Sequence, residues 1–271
     1  MKVDVILDRA VQGERLRRED LELLFEEAPL LELGQAAHAV RERLVDPDEA
    51  TYIIDRNINY TNVCVYRCRF CAFYRTLKDE DAYVLPIQEI VGKVAETVAA
   101  GGTGILLQGG VHPELKLKDY EGLLRDLKTA FPQVHLHAFS VPEIFYVSKV
   151  EKMPVVEVIQ RLQAAGLDSI PGGGAEILTE RIHDTFCPDK IGVERWLEVA
   201  RTAHSLGLKS TATMLYGHEE RIEERVEHLV RLRELQDETG GLQCFVPLSF
   251  HPEGTPLSHL PGPGGIDDLM S

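Results

Sequence analysis

Positive charge is what this sequence lacks most. Against 44 Asp and Glu stand 29 Lys and Arg, a formal charge of −15, with no basic run of any length. A phosphate backbone is repelled by such a surface, which excludes nucleic acid as a partner. Long apolar runs are missing too. No stretch approaches the ~20 apolar residues of a membrane span, and the opening MKVDVILDRAVQGERL has no apolar core of a secretory signal. The expectation is a soluble, cytoplasmic protein with no membrane partner. Cysteine is scarce, five in 271 residues, which excludes a disulfide scaffold. Cys187 and Cys244 stand remote from the rest and read as buried small hydrophobes. With 44% apolar side chains the chain can bury one large core.

The other three cysteines, Cys64, Cys68 and Cys71, crowd into eight residues with the spacing C-x3-C-x2-C. A closed structural zinc site wants a fourth protein ligand, and iron–sulfur electron carriers use four cysteines per cubane. No second cysteine pair or Cys/His pair follows at knuckle spacing. Three thiolates on a [4Fe–4S] cubane leave one iron open for an outside ligand. The spacing, with Phe70 before the last cysteine, resembles the radical SAM superfamily. That resemblance implies one cluster per chain on Cys64, Cys68 and Cys71, with S-adenosylmethionine (SAM) on the open iron through its amino and carboxylate groups.

Residues 1–50 read as a helical extension, a lid or plug on the main domain. Helical signals run from Ile6 to Val11, from Arg18 to a stop at Pro29, and from Leu33 to Leu44. From residue 51 to 271, strand and helix signals alternate as in a parallel α/β fold. Strands are expected at Tyr52 to Asn59, Gly104 to Gln108, Val134 to Ala138, Asp168 to Ile170, Lys209 to Met214 and Gln243 to Pro247. Helices are expected at Pro86 to Ala100, Leu117 to Ala130, Val155 to Ala165, within Glu176 to Leu206, and at Arg221 to Glu238. Six such units predict a partial TIM-type (β/α)6 barrel, whose chemistry sits on the loops at the carboxyl ends of the strands.

Those loops carry the remaining candidates. Gly109 and Gly110, after Gln108, allow close backbone approach, and they stand where radical SAM proteins bind the methionine amino group. Ser140 and Glu143 follow strand three. Glu176 ends Pro171-Gly172-Gly173-Gly174-Ala175-Glu176 after strand four, placed for a ribose hydroxyl or an amine, or as a helix-start carboxylate. Gly217, in Met214-Leu215-Tyr216-Gly217-His218, resembles the superfamily's adenine-side segment. By resemblance, Phe70, Gln108, Gly109, Gly110, Ser140, Glu176 and Gly217 form the cofactor shell.

Longer phrases narrow the family. Residues 55–64 (DRNINYTNVC), 71–75 (CAFYR) and the Gln108 loop resemble the cyclic dehypoxanthine futalosine synthase family of the futalosine route to menaquinone. Residues 171–177, 214–218 and 247–252 are closer to the aminofutalosine synthase family of that pathway, and more distantly to FO synthase. The resemblance implies a 5′-deoxyadenosyl radical that abstracts hydrogen from C4′ of the nucleoside substrate's ribose. The carbon radical then closes on the benzoate ring. The alternatives are radical addition to an enolpyruvyl benzoate, or an inactive cluster-binding fragment acting as a scaffold. Implied too are a reduced flavodoxin or ferredoxin as electron donor and a possible homodimer. Arg56 and Arg75 flank the cluster loop, each able to fork a benzoate carboxylate or to sit in an ordinary ion pair. Glu143, Glu176 or His218 is the candidate base. Family members continue past Asp267-Asp268-Leu269, so a shortened C-terminus, leaving the edge of strand six open or covered by another chain or the N-terminal helices, is expected.

Overall fold

The computed structural model describes residues 3–264. Three helices come first, α1 (Val3–Val11), α2 (Arg18–Glu27) and α3 (Leu30–Leu44). Then follow β1 (Asp55–Asn59), α4 (Ile87–Ala99), β2 (Gly104–Gln108), α5 (Leu117–Ala130), β3 (His135–Ala138), α6 (Val141–Glu151), α7 (Val155–Ala165), β4 (Ser169–Ile170), α8 (Glu180–Phe186), α9 (Val193–Ser205), β5 (Lys209–Tyr216), α10 (Ile222–Thr239) and β6 (Leu242–Ser249). The six strands lie in the order β1 to β6, every neighbouring pair parallel. Parallel neighbours need crossover connections, and the helices supply them. The result is the partial (β/α)6 barrel that the alternation predicts.

Each crossover helix lays an apolar stripe on the sheet. Ile90 and Val94 of α4, Leu124 and Leu127 of α5, and Val158, Ile159 and Leu162 of α7 pack with Ile58, Ile105, Leu107, Leu136 and Ile170 of the strands. A fully buried Leu or Ile contributes about 2 kcal/mol by removal from water. Because side chains alternate along a strand, the positions between these face the barrel lumen, and apart from Leu106 and Leu215 they are polar: Asn57, Asn59, Gln108, His137, Ser169, Thr211 and Thr213.

Three elements depart from expectation. Helix α6 falls where only a loop is expected, its start marked by the capping pair Ser140 and Glu143 with Pro142 in the first turn. The region from Glu176 to Leu206 is two helices, broken at Cys187 to Gly192. The N-terminal helices close their own small core around Ile6, Leu7 and Leu24 and clamp α10 from outside. Arg15 forks Asp237, with one arm at 2.6 Å, Arg18 pairs with Glu227, and Arg233 donates to the Leu16 carbonyl at 2.8 Å. They therefore dock on the flank, and among the described residues no strand pairs with the outer edge of β6, where Cys244 is exposed, as are Phe245 and Leu248. Cys244 thus corrects its reading as a buried hydrophobe. Asp267-Asp268-Leu269, where family members continue, lies outside the described residues.

Candidate functional site: the cysteine loop and the strand ends around it

The cysteine loop leaves β1 and is pinned from three sides. Cys64 N–H donates to the Arg75 carbonyl at 2.9 Å, and Arg75 N–H to the Asn62 carbonyl at 2.8 Å. Val65 N–H reaches the Val111 carbonyl at 2.9 Å, tying the loop to the segment after β2. Arg69 N–H reaches the Phe186 carbonyl at 2.7 Å, tying it to the end of α8. Cys68 is buried, Cys64 and Cys71 are half-buried, and all three are free thiols. Burial raises the Cys64 and Cys71 thiols, while a bond with the Cys187 thiol lowers Cys68.

The donor set fits an open-iron cubane. Among the described residues no three His, Cys, Asp or Glu side chains converge as a single ion would require. Three thiols spread along one loop suit a cluster in which each takes a different iron.

Gly109 and Gly110 serve this loop directly. A Cβ on Gly110 would stand 2.3 Å from the Val63 carbonyl oxygen and 3.0 Å from Cys64 Cβ, and one on Gly109 2.9 Å from the Thr61 carbonyl oxygen. Gly110 N–H donates to that Thr61 carbonyl at 2.9 Å. The contact that demands glycine is therefore the backbone of the cysteine loop itself. By contrast a Cβ on Gly173 would meet only Gln108 Oε1 and Ser140 Cβ, both at 3.6 Å, so Gln108, Ser140 and Gly173 converge at the ends of β2, β3 and β4.

Glu143 is 1% exposed. Its carboxylate accepts from Ser140 N–H at 2.7 Å, from the Ser140 hydroxyl, and from Tyr60 Oη at 2.5 Å. Burial raises it to about 7 against these donors. Tyr60 in turn stands edge-on to Phe139 and Tyr120. Glu143 thus joins the start of α6 to the root of the cysteine loop.

Glu176 accepts from Lys190 Nζ at 2.6 Å, each side chain 11% exposed. Burial works against the Lys190 charge, but Glu176, Cys68 and Cys187 outweigh it and raise the ammonium above its ordinary value. Nζ also stands 5.7 Å from the Phe70 ring centroid. Glu176 itself has φ 48, and Phe139 has φ 56. Left-handed non-glycine residues cost about 1 kcal/mol or more, and both lie just past strand ends, β4 and β3.

His218 is fully occupied. Its Nε2 donates to the Leu215 carbonyl at 3.0 Å and its Nδ1 accepts from Glu219 N–H at 2.8 Å, while burial lowers its pKa. Glu220 accepts from Gly217 N–H at 2.6 Å and His218 N–H at 2.9 Å. Gly217 has φ 88, and a Cβ there would sit 2.5 Å from Pro263, so this segment packs against the tail after β6. Arg75 folds back on its own loop, its Nε on both Asp81 oxygens at 2.8 and 2.7 Å and its Nη1 on the Ala72 and Tyr74 carbonyls at 3.1 and 2.9 Å. Arg56 lies near the amino end of β1, its Nη1 2.5 Å from Glu96 of α4. It is not brought to the strand ends with the others.

Three features escape the sequence reading. Lys190 and Cys187 sit in a plain Cys-Pro-Asp-Lys stretch with no motif to flag them. The lumen residues did carry a signal, polar residues at most alternate positions of β1, β3 and β5. There Ser169 Oγ bonds His135 Nε2 at 2.7 Å and His137 Nδ1 at 2.6 Å.

A parallel half-barrel with three cysteines on the loop after its first strand defines a class. The chain belongs to the radical SAM superfamily, whose profile matches residues 58–232, and that class works with a [4Fe–4S] cluster and SAM. Over 260 residues it is 46% identical to cyclic dehypoxanthine futalosine synthase of Streptomyces coelicolor, covering 95% of this chain and 64% of the relative. It is 42% identical over 252 residues to 5-amino-6-(D-ribitylamino)uracil–L-tyrosine 4-hydroxyphenyl transferase 1 of Methanosarcina acetivorans (93% and 65% covered). It is also 42% identical over 271 residues to aminodeoxyfutalosine synthase of Thermus thermophilus (98% and 72% covered). The chain spans about two thirds of the length of these relatives. Methylornithine synthase shares the fold, with TM-score 0.76 at 17% identity over 98% of this chain and 74% of that one.

Proposed function

We propose that the protein is a radical SAM enzyme of the futalosine route to menaquinone, cyclising dehypoxanthine futalosine after hydrogen abstraction at ribose C4′. The observation that carries this reading is the 46% identity to a cyclic dehypoxanthine futalosine synthase across 95% of the chain, joined to an intact three-cysteine loop. When bound, the cluster and SAM supply a one-electron reduction and a carbon radical. Reduced flavodoxin or ferredoxin is the electron source. Cys64, Cys68 and Cys71 hold the iron. Gly109 and Gly110 keep the β2 loop in register with those ligands. Gln108, Ser140 and Gly173 would border bound SAM, and the Lys190 ammonium, held by Glu176 and Phe70, would supply positive charge for its carboxylate. Asn59, His137 and Thr211 line the lumen and offer hydrogen bonds to the nucleoside. Glu143 and His218 have their lone pairs committed to neighbours and act as scaffold, whereas Glu176, itself paired with Lys190, is the carboxylate assigned to the cofactor side of the site.

Aminodeoxyfutalosine synthesis is the second reading, favoured by 42% identity to that enzyme over 98% of the chain. Anaerobically reconstituted protein given each substrate in turn decides by product mass. Cyclic product with deuterium passing from C4′ into 5′-deoxyadenosine supports the first reading. Turnover of only the enolpyruvyl benzoate substrate supports the second, and turnover of only the ribitylaminouracil with tyrosine defeats both.

A further inference from the structure

Three side chains run in file from the barrel lumen to the amino end of β3. His135 begins that strand and is exposed, His137 follows on the same face and is half-buried, and Ser169, paired with His137 across β4, is 1% exposed. Ser169 Oγ stands 2.7 Å from His135 Nε2 and 2.6 Å from His137 Nδ1. One hydroxyl has one hydrogen, so it donates to one ring and accepts from the other. Thr211 sets the direction. Its Oγ1 accepts from Gly172 N–H at 2.9 Å, leaving its own hydrogen for His137 Nε2 at 3.4 Å. Nε2 is then the bare nitrogen of His137, Nδ1–H donates to Ser169, and Ser169 donates to His135 Nε2. The 3.4 Å contact is long for a hydrogen bond, so a proton on a lumen ligand can displace it. Asp168, the residue before Ser169, is no competing outlet, because its Oδ2 is held by Lys128 Nζ at 2.6 Å and Leu136 N–H at 2.7 Å.

Such a file matters for the proposed cyclisation, on which this inference rests. When C4′ closes on the benzoate ring, the ring carbon that forms the new bond still carries its hydrogen. Aromaticity returns when that C–H bond breaks, one electron passing to a one-electron acceptor of the iron–sulfur type and the proton to a base. We propose that His137, Ser169 and His135 form a proton relay that carries this proton from the lumen to solvent at the amino end of β3. His137 Nε2 takes the proton and Nδ1–H passes to Ser169 Oγ. The Ser169 hydrogen passes to His135 Nε2, and His135 Nδ1–H goes to water. One proton enters and one leaves, and no electron moves along the file. Burial lowers His137 to about 4, so the ring rests neutral and can accept.

The test separates hydrogen abstraction from proton loss. Reconstituted wild type, Ser169→Ala and His135→Ala are given dehypoxanthine futalosine deuterated at C4′, and labelled 5′-deoxyadenosine and cyclic product are both measured by mass. Labelled deoxyadenosine forms before the proton leaves, so it is expected from all three proteins. Cyclic product per deoxyadenosine should fall in both variants, by on the order of 10²-fold, the weight of a lost proton-transfer group. Imidazole in the buffer should restore His135→Ala, whose missing ring was exposed, and leave Ser169→Ala unrestored. A merely structural bond is not replaced by a free base. An unchanged ratio in either variant overturns the proposal, and so does failure of imidazole to restore His135→Ala. If Ser169→Ala does not fold, His135→Ala with imidazole decides. Nitrogen-15 resonance of the histidine rings in cluster-free protein gives a reading without substrate: the His137 proton is expected on Nδ1. A proton on Nε2 leaves the lumen without an acceptor and overturns the relay even where the wild type cyclises. No cyclic product from the wild type defeats the substrate reading instead, and the relay with it.

Discussion

A methyl group at position 110 would have to occupy space 2.3 Å from the Val63 carbonyl oxygen, and backbone cannot rotate away as a side chain can. Gly110→Ala therefore pushes the β2 loop off the cysteine loop, costing about 2 kcal/mol as forced overpacking does. Iron content and SAM affinity should fall together, measured by iron assay and equilibrium dialysis. Gly173→Ala meets only van der Waals contacts at 3.6 Å, so it should keep its iron while SAM affinity alone declines. Full iron in Gly110→Ala would contradict the packing account. At this scale the cysteines and glycines were legible because their spacing is local. Cys187 and Lys190 were not, since α8 brings them to Cys68 by tertiary folding that no spacing in the chain encodes.

Loop and helix ends behave as units here. The stretch from Ala72 to Asp81 is folded around the Arg75 guanidinium, which satisfies two loop carbonyls and one carboxylate. Lysine carries the charge without the planar fork, so Arg75→Lys should leave these partly hydrated carbonyls without their donor at a cost below about 1 kcal/mol. The expected result is faster iron loss from the reconstituted protein in a chelator chase, with the wild-type rate counting against a structural role. The six strands were readable from period and flanking glycines, whereas α6 was not, because its low amphipathicity hides a helix buried by its neighbours. Its start, Ser140 with Glu143 three residues on, is the one local sign. The N-terminal unit divides the same way. Ile6 is fully buried, and Ile6→Ala should cost about 3 kcal/mol there, loosening α1 to α3 in hydrogen exchange. Arg15→Ala, removing an exposed pair with Asp237, should change stability by less than about 1 kcal/mol.

Across the whole molecule, buried titrating groups set how stability changes with pH. Burial lowers His137 and His204 to about 4 and His228 to about 3, against an unfolded value of about 6.5. Each is held neutral, so its contribution is complete above pH ~6.5 and is lost as pH falls through the folded value. Glu143 runs the other way. Raised to about 7 by burial, it contributes fully below its ordinary value of about 4.3 and loses that contribution as pH rises through 7. Three histidines oppose one carboxylate, and between pH 6.5 and 4.5 each fully engaged group changes stability by at most about 1.4 kcal/mol per pH unit. Net destabilisation on acidification is therefore expected well before ordinary carboxylates titrate. The melting temperature of the cluster-free protein should fall steadily from pH 7 to pH 5, and cluster-free material keeps acid loss of iron out of the reading. His137→Asn should flatten that slope by about one proton, since its partner Ser169 can still be bonded by an amide. A melting temperature independent of pH over that range would show that these buried histidines are hydrated and charged in the folded protein, and with that would go the account of His137, His204 and His228 as groups held neutral by burial.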